Sequence, residues 1–125
     1  MAAVRLLVDT DILIDYFNSG RYSRLLHAPR TTVYYSVVSR KELLTKPGLK
    51  DAERRAILEA LRRFRLIPVT RGIAARYARV RAQAPRIERE DALIAATAIE
   101  KRLPLMTRNW RHFRSVDGLT LFAGS

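Results

Sequence analysis

Apolar and polar positions along the chain fall into short runs separated by turn residues. "AVRLLV" (2–7, extending to Val8) is apolar apart from one arginine and is stopped by Asp9, the pattern of a short buried strand. "DILIDYFNSG" then has helical character, and Asn18, Ser19 and Gly20 end it with turn chemistry. "RYSRLLHA" predicts a short amphipathic helix that stops before Pro29. The β-branched and aromatic run "TTVYYSVV" (31–38) predicts a second strand. A helix starting at Ser36 or Ser39 runs through "RKELLTK" to the break at Pro47-Gly48. "DAERRAILEALRRF" (51–64) predicts a helix, "LIPV" (66–69) a third strand, and "GIAARYARVRAQA" (72–84) a helix ended by Pro85. "EREDALIAATAIEKR" (88–102) has the clearest helical pattern, "LPLMT" (103–107) predicts a fourth strand, and "LTLFA" (119–123) a fifth at an edge.

Strands alternating with helices predict an α/β fold: one domain, 1–125, with a mainly parallel central sheet of about five strands flanked by helices. Right-handed crossovers bring the strand C-termini to one edge, outside which ligands bind. Asp9 follows the first strand and Asn109 the fourth. Glu42 lies just past the second strand, one turn into its helix, and Asp91 opens the helix that leads to the fourth. Four oxygen-bearing side chains, distant in sequence, are therefore expected at one crevice.

Charge sharpens this picture. Lys and Arg number 24 against 12 acids, a net charge of +12, and nearly all of the positive charge is Arg. Guanidinium groups fork onto phosphates, so such a surface favours a nucleic-acid partner. Hydrophobic residues make up 48% of the chain, enough for a core. The absence of cysteine excludes disulfides and thiolate metal sites and fits a reducing compartment. "MAAVRLLVDT" lacks a signal-peptide pattern, and no apolar run approaches the roughly 20 residues that span a bilayer, so a soluble cytoplasmic protein with no membrane role is expected.

Clustered carboxylates repel one another unless a cation neutralises them. Mg²⁺ and Mn²⁺ prefer oxygen ligands, so Asp9, Glu42 and Asp91 are candidate ligands, with Asn109 adding a neutral carbonyl. A metal there would lower the pKa of a bound water and steady charge developing on a phosphate, which is nuclease chemistry. Each residue also has a plainer reading. Asp9 can cap a helix, Glu42 can pair with Lys46 one turn on, and Asp91 can answer the helix dipole as Glu88 and Glu90 can. Asn109 can be a turn residue, Asp11 a cap or supporting group, and Asp15 the partner of an arginine. His27 and His112 read as surface or packing residues, although His112 lies near enough to Asn109 to touch substrate. Trp110 can stack on a base or cover the core, and Arg108 and Arg111 belong to a set of arginines suited to nucleic-acid contact.

Taken in order, "LLVDTDILIDYF", "SVVSRKELL" and "EDALIAATAIEKRLPLMTRNWRHF" resemble the motifs of PIN-domain ribonucleases of the VapC toxin type, found in toxin–antitoxin pairs. The resemblance covers almost the whole chain. It implies a catalytic set at Asp9, Glu42, Asp91 and Asn109, with Thr10, Ser36 and Thr107 as polar support. Asn109 stands where many relatives carry aspartate, so one firmly held Mg²⁺ or Mn²⁺ is expected, with a second recruited by substrate phosphate. The implied reaction is hydrolysis of an RNA phosphodiester by metal-activated water. The implied partners are an RNA substrate, a small VapB-like antitoxin and a second copy of the chain in a homodimer.

Two other readings compete. "VDTDIL" imitates the Asp-x-Asp start of haloacid-dehalogenase-like phosphatases, but the late lysine is Lys101 and the next strand ends in Thr107-Arg108-Asn109, without the acidic pair that family needs. A non-catalytic, basic nucleic-acid-binding module would use its acids only as helix caps.

Overall fold

Four parallel strands in the order β3-β2-β1-β4 form the central sheet of the computed structural model, which describes residues 3–123. The strands are β1 (Val4–Val8), β2 (Thr31–Ser36), β3 (Arg65–Ile67) and β4 (Leu105–Met106). Helices α1 (Thr10–Ser19) and α2 (Ser23–Leu26) join β1 to β2, and α3 (Val37–Leu44) and α4 (Asp51–Leu61) join β2 to β3. Helices α5 (Arg71–Gln83) and α6 (Arg89–Lys101) carry the chain back across the sheet to β4, and α7 (Trp110–Phe113) follows. The chain thus steps outward from β1 to β3 and then returns to the far side of β1. That reversal opens a crevice beyond the C-terminal ends of β1 and β4, where Val8 lies opposite Met106.

The apolar run of β1 is buried on both faces because helices cover both sides of a parallel sheet. Leu6 and Val8 pack with Ile12, Leu13, Val33 and Phe64, whereas Leu7 points the other way, into a cluster with Ile73, Ile94, Leu105 and Phe113. Ala92, Ala95 and Ala96 of α6 are fully buried, and their small side chains let that helix lie close against its neighbours. Gly20, at φ 72, ends α1 by donating its N–H to Tyr16.

The alternation read from the sequence is present, with shorter strands. β2 ends at Ser36, whose hydroxyl accepts the Val38 N–H and starts α3. α4 stops at Leu61, and residues 62–64 turn into a β3 that ends before Pro68, a residue with no N–H to offer the sheet. The expected fifth strand is reduced to one parallel bridge, Leu105 with Leu121, held by Leu105 N–H to Thr120 O (2.9 Å) and Phe122 N–H to Leu105 O (2.8 Å). It lies beside β4, at the edge where the sequence placed it. The short helix α7 was not expected. Residues 1, 2, 124 and 125 of the expected single domain, including Ala2 of the first strand, lie outside the described residues. No helix among the described residues is long and apolar enough to cross a membrane.

Phe113, 1% exposed, anchors α7 to the core. Phe113→Ala is expected to lower stability by about 3–5 kcal/mol in urea denaturation. A loss under about 1 kcal/mol would show that this ring does not hold α7 in place.

Candidate active site at the strand ends

Asp9 is the first residue past β1 and is only 5% exposed. Its N–H donates to the Met106 carbonyl (2.9 Å), extending the contact between β1 and β4. Its Oδ1 accepts the Thr10 N–H (2.8 Å) and so caps α1, and its Oδ2 accepts the Thr107 hydroxyl (2.8 Å). The capping reading and the site reading of Asp9 therefore hold together. Thr10 Oγ1 donates to Glu42 Oε1 (2.9 Å) and lies 2.8 Å from Ser39 Oγ. The single Thr10 proton goes to the carboxylate, so Ser39 donates to Thr10. This chain of three side chains ties α1 to α3. Ser36 instead caps α3, and Ser39, which the sequence reading took only as a possible helix start, is the serine that meets Thr10.

On the other side of Asp9, the segment after β4 is shaped by acids of α1. Arg108 N–H donates to Asp11 Oδ2 (3.0 Å), and the Arg108 guanidinium lies 3.0 Å from both oxygens of Asp15. Arg21 is 3.7 Å from Asp15, so Asp15 pairs with arginine as the sequence suggested. The guanidinium of Arg108 is thus turned toward Asp15. Asn109 donates its N–H to Thr107 Oγ1 (3.0 Å) and stands at the cap position of α7, where its exposed side chain makes no capping bond. Asp91, in the first turn of α6, lies with Oδ2 3.4 Å from His112 Nδ1. Trp110 is 45% exposed, with the guanidinium carbons of Arg111 and Arg114 at 5.0 and 5.2 Å from its ring centroid. Beside Glu42, a groove of about 480 Å³ opens between α3, α5 and α6, lined by Val38, Tyr77, Leu93 and Glu90 among others.

Sequence reasoning underweighted Asp11 and His112. Asp11 was legible as a second acid beside Asp9. His112 needed the knowledge that residues 110–113 coil, which turns its side chain back toward α6.

The electrostatics of these acids run in one direction. Burial, then the negative charge of Asp11, with Asp91 adding, pushes Asp9 up to about 6, against the pull of its bonds to Thr107 and Thr10. Burial also raises Asp11, even though the Arg108 amide holds its charged form. Glu42 is raised by burial, with Glu90 and Asp91 adding repulsion against the bond from Thr10. Asp91 is raised by burial despite the nearby His112, with Glu88 and Glu90 adding. The site gathers more negative charge than its own hydrogen bonds neutralise.

These residues fit a hard divalent cation. The acidic donors are carboxylate oxygens, they repel one another, and Asp11 Oδ1 is buried without a hydrogen-bond partner. Among the described residues no three acidic or histidine side chains already close into a cage. Mg²⁺ needs none, because it binds through one or two carboxylates and keeps several waters.

A family model described as the PIN domain matches residues 6–119, and the chain belongs to that family. Its relatives include Ribonuclease VapC10 of Mycobacterium tuberculosis, 39% identical over 121 residues that cover 91% of this chain and 90% of that protein. Ribonuclease VapC1 of Methanocaldococcus jannaschii is 28% identical over 125 residues, covering 94% and 87%. Among solved structures, a toxin–antitoxin complex from Klebsiella pneumoniae contains a chain of TM-score 0.77 and 30% identity, covering 92% of this chain and 95% of that one. VapBC2 from Rickettsia felis, bound to a DNA fragment from its promoter, shares the fold at TM-score 0.82 and 23% identity, covering 95% and 98%. This membership sets aside the haloacid-dehalogenase-like reading.

The raised Asp9 has a consequence for stability. Its ordinary value is 3.8 and its folded value about 6, so the folded chain binds this proton more tightly than the unfolded chain. Stability of the metal-free protein is therefore expected to fall as pH rises from about 4 to about 6 and then to level off, by about 3 kcal/mol from this residue. Asp9→Asn should remove most of that fall and be the more stable protein near neutral pH, as measured by urea denaturation across this range. Equal pH slopes in the two proteins would contradict the assignment.

Proposed function

We propose that this protein is a metal-dependent endoribonuclease and the toxin of a type II toxin–antitoxin pair. The observation that carries the reading is that Asp9 and Glu42, linked through Thr10, are both raised by burial and by the charge of Asp91 beside the strand ends, in a family member of net charge +12. Its ribonuclease relatives and its likeness to chains in toxin–antitoxin complexes support the same conclusion. The partners are RNA, a small VapB-like antitoxin and a second copy of the chain, and the protein acts in the cytoplasm.

Asp9, Glu42 and Asp91 would hold Mg²⁺ or Mn²⁺, with Asn109 beside them as a neutral donor. The ion, when bound, supplies an activated water and offsets charge on the phosphate. The chain's own residues do the rest. Thr107 and the Thr10 amide fix the two oxygens of Asp9, and Thr10 with Ser39 fixes Glu42 relative to it. Such bonds hold the ligands in place before substrate arrives. The surrounding arginines draw the phosphate backbone toward an otherwise negative crevice. Trp110, exposed on α7 with two guanidinium groups against its ring, offers a face on which a base can stack.

The test is incubation of antitoxin-free protein with structured and single-stranded RNAs in Mg²⁺, Mn²⁺ or EDTA. Cutting should require metal and fall by about 100-fold or more in Asp9→Asn and in Asp91→Asn. RNA binding without cutting in either metal would favour the non-catalytic binding module, and cutting that persists in EDTA would refute the mechanism. Trp110→Ala should weaken RNA binding by about tenfold with little change in the rate at saturating RNA. An unchanged affinity would remove Trp110 from the RNA path.

A further inference from the structure

His112 is the one imidazole at the acidic crevice; His27, the other histidine of the chain, is bonded to Tyr16. Its placement is set by the fold. Phe113, the next residue, is buried in the core and fixes the rotation of α7, and this turns His112 toward the first turn of α6. The Nδ1 to Oδ2 separation of 3.4 Å is long for a charge-assisted hydrogen bond. It is close to the spacing of two neighbouring ligands on one octahedral ion, which at metal–ligand distances of about 2.1 Å sit about 3 Å apart. The Asp91 side chain is 20% exposed and that of His112 59%, so both are open to solvent and to an entering ion.

Resting on the nuclease reading, we propose that His112 is a direct ligand of the active-site cation, sharing it with Asp91 through Nδ1. With Asn109 as a neutral donor beside the acids, His112 supplies the nitrogen ligand of the set. The site is then a mixed nitrogen and oxygen site. Oxygen-only sites suit Mg²⁺, whereas an imidazole favours Mn²⁺ and later transition ions. The protein is accordingly a Mn²⁺-preferring nuclease, and replacing His112 by aspartate shifts its preference toward Mg²⁺.

The test does not require turnover. Metal-stripped protein is loaded with substoichiometric Mn²⁺ and examined by pulsed electron paramagnetic resonance, which detects nitrogen nuclei bonded to the ion. Wild type and His27→Ala should show nitrogen modulation, and His112→Ala and His112→Asp should lose it. In calorimetric titrations, the ratio of Mn²⁺ to Mg²⁺ affinity should fall several-fold in His112→Asp. His112 is exposed, so both variants should keep the wild-type fold, checked by circular dichroism. Bound Mn²⁺ without nitrogen modulation, or modulation that survives in His112→Ala, would overturn the proposal while leaving the nuclease reading intact. Binding of Mg²⁺ but not Mn²⁺ would overturn the proposal alone, and failure of wild type to bind either ion would overturn both.

Discussion

The hydrogen bond from Thr107 to Asp9 joins the ends of β1 and β4, and the site is assembled around it. Thr107 donates to Asp9 and accepts the Asn109 amide, so one hydroxyl sets both the carboxylate and the path of the chain leaving β4. Asp9 in turn caps α1, which aims Thr10 at Glu42 and Asp11 at the Arg108 amide. Three segments that are far apart in sequence are thereby referred to one pair of adjacent strands. The topology makes this possible, because the chain reverses direction across the sheet between β3 and β4 and leaves those strand ends uncovered by a crossover.

This arrangement opposes stability. Burying several carboxylates near one another disfavours their charged forms, and the raised values of Asp9, Asp11, Glu42 and Asp91 all express that cost. The surplus of arginine does not remove it. Arg108 is committed to Asp15, Arg76 lies 3.6 Å from Glu100, and Arg111 and Arg114 lie against Trp110. Lys41 and Arg89 line the groove beside Glu42, and Arg108 acts on Asp11 as well as Asp15, yet all four acids stay raised. Positive charge at the rim of an acidic centre draws a polyanion inward and leaves the centre to a cation.

Much of this was legible from the chain alone. The run from Leu6 to Val8 followed by Asp9, the turn at Asn18-Ser19-Gly20 and the small-residue face of α6 each carry a local physical signal, and each element lies where that signal put it. The strand lengths were less legible, because Ser36 ends β2 through a side-chain cap that competes with continued pairing, and because a two-residue β4 has too few positions to show alternation. Of the candidate site residues, Asp9 stood out as an acid at a strand end in a basic chain, Glu42 was picked out by the register of its motif, and Asp91 by the small-residue face of the helix it opens. The role of Ser39 beside Thr10 and the orientation of His112 were not legible. Both depend on the rotation of a helix about its axis, which is set by buried neighbours such as Leu43 and Phe113, not by the polar residue itself.

A divalent cation would relieve the repulsion among these acids. Protons and metal then compete for the same oxygens. The most direct measurement is the thermal midpoint of metal-stripped protein with and without millimolar Mn²⁺, at about pH 5 and about pH 7.5. A rise of several degrees is expected at the higher pH, where Asp9 is ionised, and little change at the lower one, where it is largely protonated. The same midpoint with and without Mn²⁺ at the higher pH would contradict it.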